Sequence, residues 1–247
     1  MKREIFIMIA CTFFSLMTGM AYGQSAQSII EKVEANQTYQ SISYEGTMEI
    51  ISGSRTMTKT MKAWTVGSDK AFIEFTNPED RGVRMLKLGK NLWMYFPSEK
   101  DTIKITGALL QQGMMGSNIS YEDMMEPDIL KSRYEASISG EETINDRPCV
   151  ILTLKALSSA VAYSKRVIWV DKEHFFAMKT ELYSRGGQLL KTISTLSTEK
   201  IGQRYFPIKI EVIDGLKKNS KTVFSMRSVS IDTKIDESIF SLKALSK

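Results

Sequence analysis

The sequence predicts a mainly β fold with some α: a strongly curved antiparallel sheet, or incomplete β-barrel, covered by helical segments. Three observations predict it. From Ile42 to Thr106, and again from Tyr134 onward, apolar and polar residues alternate in short runs, the period-2 rhythm of strands. The joints between runs are short and carry turn chemistry, as in Ser52-Gly53-Ser54, Gly67-Ser68-Asp69 and Gly89-Lys90-Asn91; neighbouring strands joined this way pair antiparallel in a meander. A single greasy stretch, Gly107 to Leu130, interrupts the rhythm. About eleven strands are too many to stay flat, so the sheet must curve or partly close, and the helical stretches must fill its concave side.

Residues 1–23 read as a secretory signal: Lys2 and Arg3 begin it, Ile5 to Met17 is apolar, and Ala21-Tyr22-Gly23 is a small-x-small cleavage site. Residues 24–247 then form one mature domain in the periplasm. The formal charge of +5 falls to +4 without Lys2, Arg3 and Glu4, and the basic residues are scattered along strands and turns. That pattern excludes a nucleic-acid binder and describes a solvated sheet face. Cys149 alone survives cleavage, inside the apolar run Pro148-Cys149-Val150-Ile151-Leu152, where a buried inert thiol is expected.

In chain order, Ser25 to Gln37 carries Ile29, Ile30 and Val33 on one side and Glu31, Lys32 and Glu34 on the other, an amphipathic helix. Strands follow at 42–51, 57–66, 71–76, 83–88, 92–96 and 102–106. In the interruption, Leu109, Leu110, Gln112, Met114 and Met115 stand at helical spacing, and Ser120 precedes Asp123 by three residues as a capping signal for a second helix that Pro127 ends. Strands resume at 134–143, 149–155, 165–170, 177–183, 189–198, 206–213 and 222–231, with a last short piece around Ile239-Phe240. The loop from Lys155 to Ser164 has no pattern of its own.

No catalytic constellation stands out in the sequence. His174 stands in an expected turn without a nucleophile or metal-ligand partner in sequence, and no phosphate-cradling loop, nucleophile elbow or zinc pattern occurs. No enzyme activity, cofactor or metal is expected. What the sequence offers instead is apolar surface. In the strand Leu92-Trp93-Met94-Tyr95-Phe96 both faces are apolar, so both must be covered or functional. Candidate lipid-contacting residues are Trp64, Phe72, Met85, Trp93, Tyr95 and Trp169 on strands, and Leu109, Leu110, Met114, Met115, Met124 and Met125 in the interruption. The methionines serve either to plug a core or to exchange contacts with a flexible apolar ligand.

Gly89-Lys90-x-Leu92-Trp93-x-Tyr95-x-Pro97 resembles the strand and turn of the LolA-like family of periplasmic lipoprotein carriers. Asn77-Pro78 through Gly82, the run Met115-Gly116-Ser117-Asn118-Ile119-Ser120-Tyr121-Glu122-Asp123-Met124, Trp169-Val170-Asp171 and the closing Ile235 to Phe240 are similar to its outer-membrane lipoprotein-sorting branch. The resemblance implies an incomplete barrel with a helical lid over an apolar cavity. It also implies a monomeric carrier of an acylated lipoprotein or lipid, between an inner-membrane transporter donor and an outer-membrane acceptor. Gly67 stands where the family places an arginine tied to lid closure. An envelope-stress sensor resembling RseB, or an export-pump accessory, would use the same architecture to bind a lipoprotein or polypeptide without shuttling it.

Overall fold

The computed structural model describes residues 25–125 and 129–247. The expected signal sequence and the helix stop at Pro127 lie outside the described residues.

Thirteen strands form one sheet, in which every pairing is antiparallel. The first six are β1 (Ser41–Ser52), β2 (Arg55–Val66), β3 (Lys70–Phe75), β4 (Arg84–Leu88), β5 (Asn91–Phe96) and β6 (Asp101–Ile105). The others are β7 (Tyr134–Ile144), β8 (Arg147–Ala156), β9 (Lys165–Asp171), β10 (Ala177–Tyr183), β11 (Leu189–Ile201), β12 (Arg204–Asp214) and β13 (Ser220–Ile231). Each half is a meander, and the halves join where β13 pairs with β1. The edges, β6 and β7, do not meet, so the barrel stays open. The strands fall on the thirteen ranges expected from alternation, two more than the rounded total of about eleven, and the last expected strand piece is instead a 3-10 turn, Glu237–Ile239, followed by a short helix.

Among the described residues, four helices decorate the sheet: α1 (Ala26–Gln37), α2 (Tyr121–Met125), α3 (Leu130–Arg133) and α4 (Leu242–Leu245). The Ser25 side chain caps α1 by accepting from the backbone N–H of Ser28 at 3.1 Å. Its buried stripe of Ile29, Ile30 and Val33 packs on Val150, Leu152, Leu154, Ile168 and Val170 of β8 and β9. Residues paired across a sheet point to the same face. The register runs from Leu152 through Ile168, Thr180, Ile193, Val212 and Thr222 to Ile50. Hence the face under α1 is also the face carrying Met48 and Ile50, against which the segment between β6 and β7 packs. We call it the inner face.

That segment joins the two free edges, so it must cross the opening of the barrel. It is less helical than its spacing predicts. Gly107–Gln111 and Met114–Gly116 are 3-10 turns, and Met115 and Gly116 both have positive φ, which ends any regular helix there. Gly113 is required at the start of this turn, since a Cβ on it would lie 1.8 Å from the carbonyl oxygen of Ser117. The turn closes on itself through a 2.7 Å bond from the Met114 N–H to the Ile119 carbonyl.

The outer face has its own cover. Residues of the C-terminal segment, Ile235, Ile239, Phe240 and Leu245, pack over Trp64, Phe72, Leu86, Trp93 and Tyr95. The strand with two apolar faces is thereby explained: Leu92 and Met94 lie under the crossing segment, Trp93 and Tyr95 under the C-terminal one.

Candidate functional site

The inner face is filled at one end and hollow at the other, and the cause is side-chain size along two neighbouring strands. On β2 the inward positions run Met61, Ala63, Thr65; on β3 they run Phe75, Ile73, Ala71. The large ends, with Met48, Met85 and Met94, are sealed by Met114 and Tyr121 of the crossing segment. Beyond the small ends a cavity of about 590 Å³ remains. Its sheet wall is Tyr44, Ala63, Thr65, Ala71, Ile73 and the charged Lys87; Asp123, Met124 and Ile129 bound it from the crossing segment; and Glu34, Gln37, Thr38, Tyr39, Gly67 and Ser68 form a rim at the end of α1 and the β2–β3 turn. Burial pushes the Tyr44 phenol well above its usual range, with the neighbouring Tyr39 adding to the effect, so it stays neutral in this wall.

The roof over this hollow is fastened by polar groups at three points. Asn118 is held to the start of β13: its N–H donates to Thr222 Oγ1 at 2.9 Å, and its side-chain oxygen accepts from Thr222 at 3.1 Å and from Ser220 at 3.0 Å. Asp123 and Ser120 cap α2 reciprocally, the Ser120 N–H reaching Asp123 Oδ2 at 2.7 Å and the Asp123 N–H reaching Ser120 Oγ at 3.2 Å. Asp123 also pairs with Lys191 of β11 and accepts a 2.5 Å bond from the Tyr163 hydroxyl. Burial opposes its charge, but the Lys191 ammonium and these hydrogen bonds outweigh it and hold the carboxyl below the ordinary range. Finally, Lys87, inward on β4 and 8% exposed, donates to the carbonyls of Met124 at 3.3 Å and Met125 at 3.5 Å, the last residues of α2.

The expected lipid-contacting residues divide among three places. Met85 and Met114 are buried in the inner core, and Leu110, Met115, Met124 and Met125 pack against it. Met124 is the one of these that reaches the cavity wall. Leu109 points outward, 39% exposed. Trp64, Phe72, Trp93 and Tyr95 lie on the outer face under the C-terminal segment, away from the cavity, and Trp64 and Phe72 line a smaller groove of about 360 Å³ there. Trp169 packs with Cys149, Phe176 and Met178, donates its indole N–H to Glu142 at 2.6 Å and carries the Lys179 ammonium 4.2 Å from its ring. It too stands on the face opposite Ile168 and Val170.

Sequence reasoning missed Ala63, Ala71, Ile73, Tyr44, Lys87, Lys191 and Tyr163. A signal existed for Lys87: within Met85-Leu86-Lys87-Leu88 it shares a face with Met85, an inward cation in an apolar strand. None existed for Tyr163, which sits in the patternless loop. His174 occupies its expected turn, stacked on Tyr205 with ring centroids 3.6 Å apart. No group of three or more His, Cys, Asp or Glu able to hold a metal occurs among the described residues.

No curated protein matches the chain. Among solved structures, a DUF1329 family protein from Desulfovibrio piger is 24% identical with a TM-score of 0.81, over 89% of this chain and 97% of that one. A domain assigned as an outer membrane lipoprotein-sorting protein from Vibrio parahaemolyticus is 20% identical with a TM-score of 0.78, over 90% and 98%. A LolA superfamily protein from Nitrosomonas europaea is 23% identical with a TM-score of 0.72, over 90% and 100%. These likenesses establish a LolA-like fold. A family model described as "-like: Uncharacterized protein" matches residues 67–247, and the chain belongs to that family.

Proposed function

We propose that the protein is a periplasmic carrier that shelters the hydrocarbon of an acylated lipoprotein or lipid during transfer toward the outer membrane. The observation that carries this reading is the hollow of about 590 Å³ left between the sheet, α1 and the roof, a size within the range of sites that enclose a small ligand. Leaving a 16-carbon chain in water costs on the order of 12 kcal/mol, at about 0.8 kcal/mol per methylene. A wall of Ala63, Ala71, Ile73 and Met124 removes much of that penalty while the polar rim stays wet. The protein contributes binding and no bond-breaking step. The LolA-like fold supports this reading, as does the sequence of residues 1–23, which would export the chain.

Purification from a periplasmic extract without detergent, followed by organic extraction and mass spectrometry, tests the proposal. Stoichiometric co-purifying lipid is expected from the native chain, and less from Met124→Asp, which puts a charge in the wall. A lipid-free native protein that also fails to take up added fatty acid would exclude the carrier role.

A further inference from the structure

One end of the sheet presents isolated leucines on its loops. We propose that this end is a membrane-docking surface, which seats the protein on a bilayer containing anionic lipid through leucines and basic residues on neighbouring loop tips. The connections β8–β9, β10–β11 and β12–β13 all turn at the same end, because every pairing in the meander is antiparallel. Each bears an exposed leucine: Leu157 is 62% exposed, Leu189 36% and Leu216 61%. Backbone bonds tie the tips into one surface. The Ser164 N–H donates to the Tyr183 carbonyl at 3.0 Å, the Gly215 N–H to that of Leu190 at 2.8 Å, and the Gly53 N–H, in the β1–β2 turn, to that of Asn219 at 2.8 Å. A Cβ on Gly215 would lie 2.6 Å from the Leu189 carbonyl oxygen, so glycine is what lets two of the tips approach this closely.

Charge identifies the occupant. The loops 52–55, 157–164, 184–188 and 215–219 contain Arg55, Arg185, Lys217 and Lys218, all exposed, and no acidic residue. Asp214, at the base of the β12–β13 turn, reaches Lys217 at 3.4 Å, and that side chain is still 49% exposed. An anionic lipid surface attracts such a cluster within a Debye length. The leucines stand on separate tips, spaced by Gly, Ser and Lys, rather than in the packed apolar core of a protein interface. A bilayer accepts protruding apolar groups one by one, each entering the headgroup boundary while the cations meet phosphate. The rim of the hollow, at Thr38, Gly67 and Ser68, belongs to the other end of the strands, where the Gly67 N–H donates to the Gln40 carbonyl at 2.8 Å. The docking surface is therefore separate from the hollow and does not depend on the carrier reading.

Co-sedimentation of the protein purified from a periplasmic extract, with vesicles of equal parts phosphatidylethanolamine and phosphatidylglycerol, tests the proposal. The protein should partition onto these vesicles, and at least about tenfold more weakly onto pure phosphatidylcholine or in about 1 M salt. Lys217→Glu with Lys218→Glu should lower partitioning at least about tenfold, and Leu157→Ser with Leu216→Ser by a similar factor, each with unchanged circular dichroism. Met124→Asp should lose lipid from the hollow and still sediment, which distinguishes failure of this surface from failure of the carrier reading. A native protein that stays in the supernatant with the anionic vesicles would overturn the proposal and assign the tips to an acidic protein surface instead. Sedimentation of the folded lysine and leucine variants equal to that of the parent would overturn it as well, by showing that the membrane contact lies elsewhere.

Discussion

Replacing Lys191 by Met asks whether the roof is held by the ion pair at its α2 end. The Lys191 side chain is 11% exposed and that of Asp123 21%, so removing the ammonium leaves a largely buried carboxylate with only the Tyr163 hydroxyl and the Ser120 N–H. Breaking one partner of a fully buried pair costs about 3–5 kcal/mol; with this residual exposure we expect about 2–3 kcal/mol. Asp123→Asn should cost a similar amount by stranding Lys191. The double variant should lose about 2 kcal/mol less than the two singles added, because the atoms removed face each other. The sign of the pH dependence follows from the depressed folded-state pKa of Asp123. The pair's contribution is present above the unfolded carboxylate value of about 3.9 and is lost as pH falls through the lower folded value. Lys191→Met should lack that acid-side loss. Urea unfolding at several pH values reads the energies, and amide exchange of residues 114–125 reads the roof itself. A Lys191→Met protein within about 0.5 kcal/mol of the parent, with unaltered exchange over the roof, would refute the reasoning.

Three other outcomes are expected. Gly113→Ala should destabilise by about 2–4 kcal/mol in urea unfolding, because the new Cβ meets a backbone oxygen at 1.8 Å that no rotamer change can move. Phe240→Ala should cost about 3–4 kcal/mol and shift tryptophan emission to the red, since Phe240 covers the outer face next to Trp64 and Trp93; palmitate binding should be unchanged, because that face is not the cavity. Cys149 is fully buried and burial raises its thiol pKa, so iodoacetamide should label it at least ~100-fold more slowly in the native protein than in urea.

The strands were legible because alternation is a strong local signal, and so was the inference that both faces of Leu92 to Phe96 are covered. Alternation says that Trp93 and Met94 part company; it does not say which of them faces the hollow. That depends on which distant segment covers which face, and the segment 235–245 gives no periodic pattern that marks it as the outer cover. Aromatic rings such as Trp64 and Phe72 mark apolar surface in a sequence, whereas a cavity is made by what is small. Ala63 and Ala71 are unremarkable in a strand until their pairing with Ile73 and Thr65 puts them on one wall. The crossing segment read as helix because Leu110 and Met114 fit its period, but Gly113 and the left-handed Met115 fold it into tight turns instead. Tyr163 reaches Asp123 across 40 residues of sequence, a contact that only tertiary structure discloses.

Nuclear Overhauser effects between bound palmitate and methyl-labelled alanine and methionine test the central claim most directly. If hydrocarbon occupies the inner hollow, cross-peaks should connect the chain to the methyls of Ala63, Ala71 and Met124, and none should reach Met178 on the opposite face. Chain contacts confined to outer-face methyls, or saturating palmitate without any contact to those three, would contradict it.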